Sequence, residues 1–359
     1  MSVTTEQIRT ILHTVKDHNG MDILNKYSKV LIDVKEELVI INLELNYPVN
    51  ETINLLIKEK IIHALSSIGI LNLSINITCH VMTHATSNLL KSYTNVKNII
   101  AVVSGKGGVG KSTISANIAY SLCLLGARVG IIDADIYGPS LPIILGVNDK
   151  PEIIDHDKMV PIIKHGIQVN SLGFLLDYDS PAILRGPMIT KIFEQLVSKT
   201  KWCDLDYLIV DMPPGTGDIA LSLAKNIPIV GAVIVTTPQD VSLMDVRRCI
   251  KMYKKVGTRI LGIIENMSSY MCPHCMNVSH LFGIGGGKRI ATQYNIPLLG
   301  ELPFDNYIRS QSDIGEFLIF NNSLTDIADK YLDVSINLSK HIAILPKNDR
   351  NVFPPIVSR

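Results

Sequence analysis

Two short stretches of this chain combine residue types that do chemistry. The first is Ser104-Gly105-Lys106-Gly107-Gly108-Val109-Gly110-Lys111-Ser112-Thr113, which directly follows the apolar run 99–103. Gly105 to Ser112 satisfies G-x-x-x-x-G-K-[ST], in which glycines let backbone N–H groups close around phosphate oxygens. A helix starting near Lys111 would aim its positive end at the same oxygens. Lys111 then faces the β- and γ-phosphates, Ser112 ligates Mg²⁺, and Thr113 offers a second hydroxyl to the α-phosphate. The loop also satisfies G-x-G-x-x-G through Gly105, Gly107 and Gly110, and Asp133 ends the next strand as a dinucleotide site requires. The Lys-Ser pair has no task in such a site. A downstream apolar run ending in an acid, Tyr207-Leu-Ile-Val-Asp211, supplies the second half of a nucleoside-triphosphate site, with Asp211 on Mg²⁺. Gly215, just beyond it, is placed to offer its N–H to a γ-phosphate and sense the nucleotide state.

The second stretch is Cys272-Pro-His-Cys275. Two cysteines at this spacing can direct both thiolates at one metal, and a four-coordinate site needs more ligands than one chain supplies here. Two copies in a twofold dimer would surround an iron–sulfur cluster with four thiolates, a number that both [2Fe–2S] and [4Fe–4S] accept. Zinc, shared across a dimer or completed by His274 or His280, and a redox dithiol suit the same pair. The remaining cysteines, Cys79, Cys123, Cys203 and Cys249, fall in strand or helix patterns and read as small buried hydrophobes. Phe282 to Gly287 (FGIGGG) follows no apolar strand and carries no Lys-Ser, so it reads as a flexible connection after the cysteine loop.

The elements that must position these groups come in two kinds. Residues 5–15 have helical apolar spacing, 29–33 and 38–45 alternate around a charged turn, 50–68 is helical again, and 71–80 is a strand. That α-β-β-α-β order describes a small α+β domain over 1–81, followed by a polar linker at 82–96. From residue 97 to 359, short apolar runs (99–103, 128–132, 207–210, 231–235, 260–264) alternate with amphipathic helical stretches. Strands of that kind are buried on both faces, which predicts an α/β fold with a doubly wound, mostly parallel sheet.

Composition narrows the function classes. With 359 residues, 47% hydrophobic and 19% charged, the chain has material for a sizeable core and is not a disordered protein. A net charge of +1 and 6% aromatic residues give no pull toward nucleic acid or anionic membranes. Residues 1–20 lack a secretory signal, no run reaches a membrane span, and six cysteines are too sparse for a disulfide scaffold. The expected setting is cytoplasmic.

The motifs in order resemble those of the Mrp/ApbC-type iron–sulfur cluster carrier ATPases, within the class of dimeric P-loop ATPases with a deviant loop. The resemblance rests on GKGGVGKST, IDADIYGPSLP (132–142), LRGPM (184–188), DYLIVDMPPGTGD (206–218), TTPQDVSLMDVRR (236–248), ENMSSYMCPHC (265–275) and FGIGGGKRIA (282–291). It implies that Lys106 acts across a dimer interface, Asp135 orients the attacking water, Asp133 supports the Mg²⁺ shell, and Asn266 contacts adenine. It further implies that Cys272 and Cys275 bridge a [4Fe–4S] cluster between protomers, with slow Mg²⁺-dependent ATP hydrolysis gating its loading or release. Partners would be a second copy of the chain, iron–sulfur scaffold donors and recipient apoproteins, with neither nucleic acid nor membrane. Residues 1–81 lie where bacterial members carry a MIP18-like domain, although no cysteine accompanies Tyr47-Pro48-Val49 as in many such domains. Arg185 has no role assigned by sequence. The competing reading is a positioning or partition ATPase with zinc, or nothing, at the cysteines. An electron-donating reductase like the nitrogenase iron protein would need a cysteine where Met212-Pro213-Pro214 stands.

Overall fold

The computed structural model describes residues 4–35, 38–87, 90–136, 138–155, 157–175, 186–316 and 325–348. Leu184 and Arg185 of LRGPM and the C-terminal NVFPPIVSR lie outside these residues.

The N-terminal unit follows the predicted order: α1 (Thr5–Leu12), β1 (Lys29–Lys35), β2 (Leu38–Leu45), α2 (Glu51–Ser66) and β3 (Leu73–Cys79). Thr4 starts α1 with a reciprocal cap, its hydroxyl accepting from the Gln7 N–H while the Gln7 side chain accepts from the Thr4 N–H. Asn50 caps α2 through the Ile53 N–H, and Ile57, Ile61 and Leu65 form the buried stripe of that helix. β2 sits centrally, antiparallel to β1 and parallel to β3, with Val39, Ile41, Leu43 and Leu45 turned into the core.

The larger unit begins at β4 (Val96–Ser104), which is followed by α3 (Lys111–Leu124), β5 (Val129–Asp133) and α4 (Leu141–Ile144). A two-stranded β6 (Ile153–Ile154) and β7 (Lys158–Met159), then β8 (Ile162–Lys164) and β9 (Ile167–Ser171), precede α5 (Gly186–Lys199) and β10 (Leu205–Asp211). The chain continues through α6 (Asp218–Asn226), β11 (Ile229–Thr236), α7 (Asp240–Lys255), β12 (Ile260–Glu265), β13 (Tyr270–Met271) and β14 (Val278–Ser279). It closes with α8 (Gly286–Tyr294), β15 (Leu298–Glu301), α9 (Asn306–Ile314) and α10 (Thr325–Ala343). Eight strands form one sheet in the order β15-β12-β11-β4-β10-β5-β9-β8, parallel except where β8 turns back on β9. This is the doubly wound α/β fold expected. One core packs α3 and α10 on one face of the sheet, and a second packs α5 to α8 on the other. Each aliphatic side chain so buried contributes about 1.5–3 kcal/mol of transfer free energy.

Residues 82–96 contain no helix among those described, yet they are pinned rather than loose. Asn98 donates to the Met82 carbonyl at 2.9 Å, Lys97 to Val81 at 3.0 Å, and Arg259 to Ala85 at 2.6 Å. The two units also share α10. Lys340 Nζ lies 2.5 Å from Asp17 Oδ2, Asn46 donates to the Ala343 carbonyl at 2.7 Å, and Ala343 belongs to the N-terminal core. Burial pushes the Asp17 carboxyl up, and the Lys340 ammonium together with the N–H groups of Met21 and Asn19 more than offsets this, leaving it below its ordinary range.

Candidate nucleotide site and cysteine ribbon

The phosphate-loop motif turns between β4 and α3, as its sequence predicts. Gly108 (φ +79°) and Gly110 (φ +81°) take left-handed backbone that other residues adopt at a cost. Gly105 is required for a different reason: a Cβ there would stand 2.6 Å from the Asp245 carbonyl carbon of α7. Val109 is buried beneath the loop, Gly107 and Gly108 face solvent, and Lys106 is half-buried, with no carboxylate paired to it among the described residues.

At the end of the loop, four side chains meet. Asp211 accepts from Ser112 Oγ at 2.5 Å and from Ser115 Oγ at 2.7 Å, while Lys111 Nζ lies 2.8 Å away. Ser115 is a participant that sequence reading missed; it sits three positions past Ser112, the last residue of the motif, and had no local signal. Asp133 stands beside Asp211 because the two are register partners in β5 and β10. Both carboxylates have 0% exposure. Burial, followed by the charge of Asp211, pushes the Asp133 carboxyl up to about 7. Its oxygens accept from the N–H groups of Asp135 and Leu141, each at 3.0 Å, so Asp133 also shapes the turn after β5. A hydroxyl and two adjacent buried carboxylates form an all-oxygen donor set of the kind that suits Mg²⁺.

Asp135 is half-buried and shares a cleft with Gly138, Pro213, Pro214, Gly217 and Asp218, so the structure unites the segment after β5 with that after β10. Gly215 adds a second link between the segments around the site. Its N–H donates to the Ser104 carbonyl at 2.9 Å, which latches the post-β10 loop to the phosphate loop instead of leaving the donor for a ligand.

Asn266 follows β12 and is buried. Its amide nitrogen donates to the Val109 carbonyl at 2.9 Å, so it braces the phosphate loop from behind. It also lines, with Gly110 and Thr113, a cavity of about 370 Å³ whose opposite wall is Phe304, Ile308 and Tyr331. That wall was not legible locally, because it comes from α9, α10 and the turn after β15.

Cys272 and Cys275 sit in the turn between β13 and β14, an antiparallel ribbon in the segment that follows β12 and Asn266. The Cys272 N–H donates to Asn277 O at 3.0 Å and the Met276 N–H to Cys272 O at 2.9 Å, with Met276 at φ +57°. The N–H groups of Cys275 and then His274, with the Cys275 side chain, hold the Cys272 thiol below its ordinary range. Among the described residues, no three His, Cys, Asp or Glu side chains form a metal-binding group, so one chain offers a pair of thiols. His280 is turned away, bonded through Nδ1 to Ser268 O at 2.7 Å. Of the four other cysteines only Cys249 is buried. Cys79 and Cys203 are exposed and Cys123 is intermediate, a correction to the reading of all four as core residues. The glycine run is corrected too: Gly286 and Gly287 are the buried start of α8, held against Pro238 and bonded to Glu265.

A family profile described as ParA: NUBPL iron-transfer P-loop NTPase matches residues 95–339. The chain belongs to this family. The ATPase is 46% identical over 270 residues to an iron–sulfur cluster carrier protein of Pseudomonas fragi, covering 75% of this chain and 94% of that one. It is 40% identical over 259 residues to the iron–sulfur cluster transfer protein NUBPL of Mus musculus, covering 72% and 81%. Among solved structures, a nucleotide-binding protein of Archaeoglobus fulgidus in complex with ADP superposes with a TM-score of 0.55. That alignment has 38% identity and covers 62% of this chain and 87% of the other. The ATPase thus shares its P-loop fold with nucleotide-binding relatives, and no helix among its described residues is long and apolar enough to cross a membrane.

Proposed function

We propose that the chain is an ATP-dependent iron–sulfur cluster carrier that works as a homodimer. The observation that supports this most is the exposed ribbon, which presents two thiols, one with its thiolate favoured by backbone N–H groups, beside a nucleotide site. One chain supplies two thiolates, so two ribbons facing each other across a twofold axis would hold a [4Fe–4S] cluster as cargo. The names of the Pseudomonas and mouse relatives point the same way.

On this reading ATP lies along the phosphate loop, with backbone N–H groups of residues 105–113 around its phosphates and the base in the cavity walled by Asn266 and Phe304. Lys111 exchanges Asp211 for the β/γ-phosphate oxygens. Ser112 and Asp211 hold Mg²⁺, and Asp133 supports that shell. Bound there, Mg²⁺ would neutralise charge developing on the phosphates. Asp135 orients the attacking water from its cleft, and Lys106 reaches across the dimer toward the partner's phosphates. Gly215 turns its N–H from Ser104 to the γ-phosphate, which releases the latch and makes that loop a sensor of nucleotide state. Turnover on this reading is slow.

We assign residues 1–81 to an accessory domain, 82–96 to its connection and 97–359 to the ATPase domain. The setting is cytoplasmic, where free thiols stay reduced. Clusters arrive from scaffold donors and leave to apoproteins. Anaerobic reconstitution with iron and sulfide tests the reading: wild type should gain a dimer-bound cluster, and Cys272→Ala/Cys275→Ala none. Zinc alone in wild type, or iron retained by the double variant, would overturn it.

A further inference from the structure

The base cavity and the cysteine ribbon are joined through one aromatic pair. Phe304 forms a wall of the cavity. Its N–H donates to Ser269 O at 2.7 Å, and its backbone bridges to Tyr270, the first residue of the ribbon. The Tyr270 and Phe304 rings lie 6.1 Å apart at 52°, a tilted contact within the range where aromatic pairs attract. Both rings are half-buried, so neither is locked in the core. Tyr270 is two residues from Cys272, and across the ribbon it is the register partner of Ser279.

The other end of the ribbon is fixed. After Ser279 the chain passes His280, bonded to Ser268, and enters α8, whose Gly287 N–H donates to the buried carboxylate of Glu265. A Cβ at Gly287 would lie 3.0 Å from Glu265 Oε2, so only glycine leaves the carboxylate this close. Arg289 of α8, itself 3.2 Å from Asp240 of α7, and Glu301, the register partner of Glu265 on β15, are the charged groups around that anchor. The ribbon is therefore held at its far end and leans on the cavity wall at its near end. A base in the cavity would press on Phe304 and, through its contacts with Ser269 and Tyr270, on the near end of the ribbon.

We propose that Tyr270 is a positioning residue that transmits occupancy of the base cavity, through Phe304, to the geometry of Cys272 and Cys275. This deepens the carrier reading and rests on its placement of a nucleoside triphosphate in the cavity. The thiols are the reporter, and no cluster is needed to read them.

The experiment is alkylation of Cys272 and Cys275 in the full chain, followed by peptide mass spectrometry, with and without Mg-ATP. In wild type ATP should change the alkylation rate by about fivefold, the low end of ordinary coupling between sites. Tyr270→Ala should bind ATP with unchanged affinity while that ratio collapses to about one. Tyr270→Phe keeps the ring and should restore the ratio, which a merely structural hydroxyl contact would not allow. Should Tyr270→Ala fail to fold, Tyr270→Leu replaces it, keeping apolar bulk without the ring, with the same collapse expected. A wild type indifferent to ATP, a Tyr270→Ala ratio equal to wild type, or a Tyr270→Phe variant as uncoupled as Tyr270→Ala would each overturn the proposal. Coupled thiols in a protein that takes up no iron would sink the carrier reading alone. Iron uptake without coupled thiols would sink this inference alone.

Discussion

The phosphate-loop end of the sheet and the cysteine ribbon lie within one domain and are built on opposite physical terms. At the first, Asp133, Asp211, Ser115 and Lys111 are buried and mutually bonded, so charges act at short range in a medium that strengthens them. At the second, almost every residue from Met271 to Gly283 is solvent-facing, and the Cys272 thiol is organised by the N–H groups of Cys275 and His274 together with the Cys275 side chain. A centre that must stabilise a charged transition state is fixed before its substrate arrives. A site that must take up and surrender cargo is left open, with little around it to break.

The largest effect that could break this comparison is Lys111→Ala. Removing the cation paired with buried Asp211 should lower ATP turnover by about a hundredfold or more, while iron uptake at the ribbon stays near wild type. Phosphate release and iron content, measured on the same preparation, would show both halves. Parallel loss of both would mean that the two sites fold as one.

Asp133 sharpens the contrast at intermediate size. Its carboxyl titrates near 7 when folded and near 3.8 when unfolded, so between these values the folded chain binds the extra proton. Stability without nucleotide from this group is full below the unfolded value and falls as pH rises toward 7, by at most about 1.4 kcal/mol per pH unit. Asp133→Asn should remove that slope, so the variant gains relative to wild type as pH rises from 4 to 7. Thermal melts across this interval, without Mg²⁺ or nucleotide, would reveal it, and parallel curves would contradict the buried-carboxylate description.

The smallest effect belongs to the exposed thiols outside the ribbon. Cys79→Ser and Cys203→Ser should change stability by no more than about 0.5 kcal/mol and leave iron content unaltered. A drop in iron with either would show that cargo is held by more than Cys272 and Cys275.

The sequence revealed the parts of the fold that local physics dictates. Apolar runs marked β4, β5, β10, β11 and β12 because strands covered on both faces have no polar positions to spare. β8 turns back on its neighbour at the sheet edge, and β15 spans four residues, so neither has a long enough pattern to be found. At the site, the glycines, Lys111, Ser112 and Asp211 were legible because phosphate chemistry fixes their spacing. Phe304 and Ser115 were not, since their roles arise from contacts across the fold. The exposed Cys79 and Cys203 were misread because a cysteine among apolar neighbours looks the same in sequence whether it ends a strand at the surface or sits inside. The Gly215–Ser104 hydrogen bond was equally silent in sequence, because it joins the segment after β10 to the end of β4.

The sharing of α10 between the two units has a consequence for biosynthesis. The small N-terminal domain leaves the ribosome first, yet Ala343 fills its core and Lys340 neutralises Asp17 inside it. The part of its core that Ala343 closes stays open until almost the whole nucleotide-binding domain has been translated, an interval in which exposed apolar surface favours misassociation.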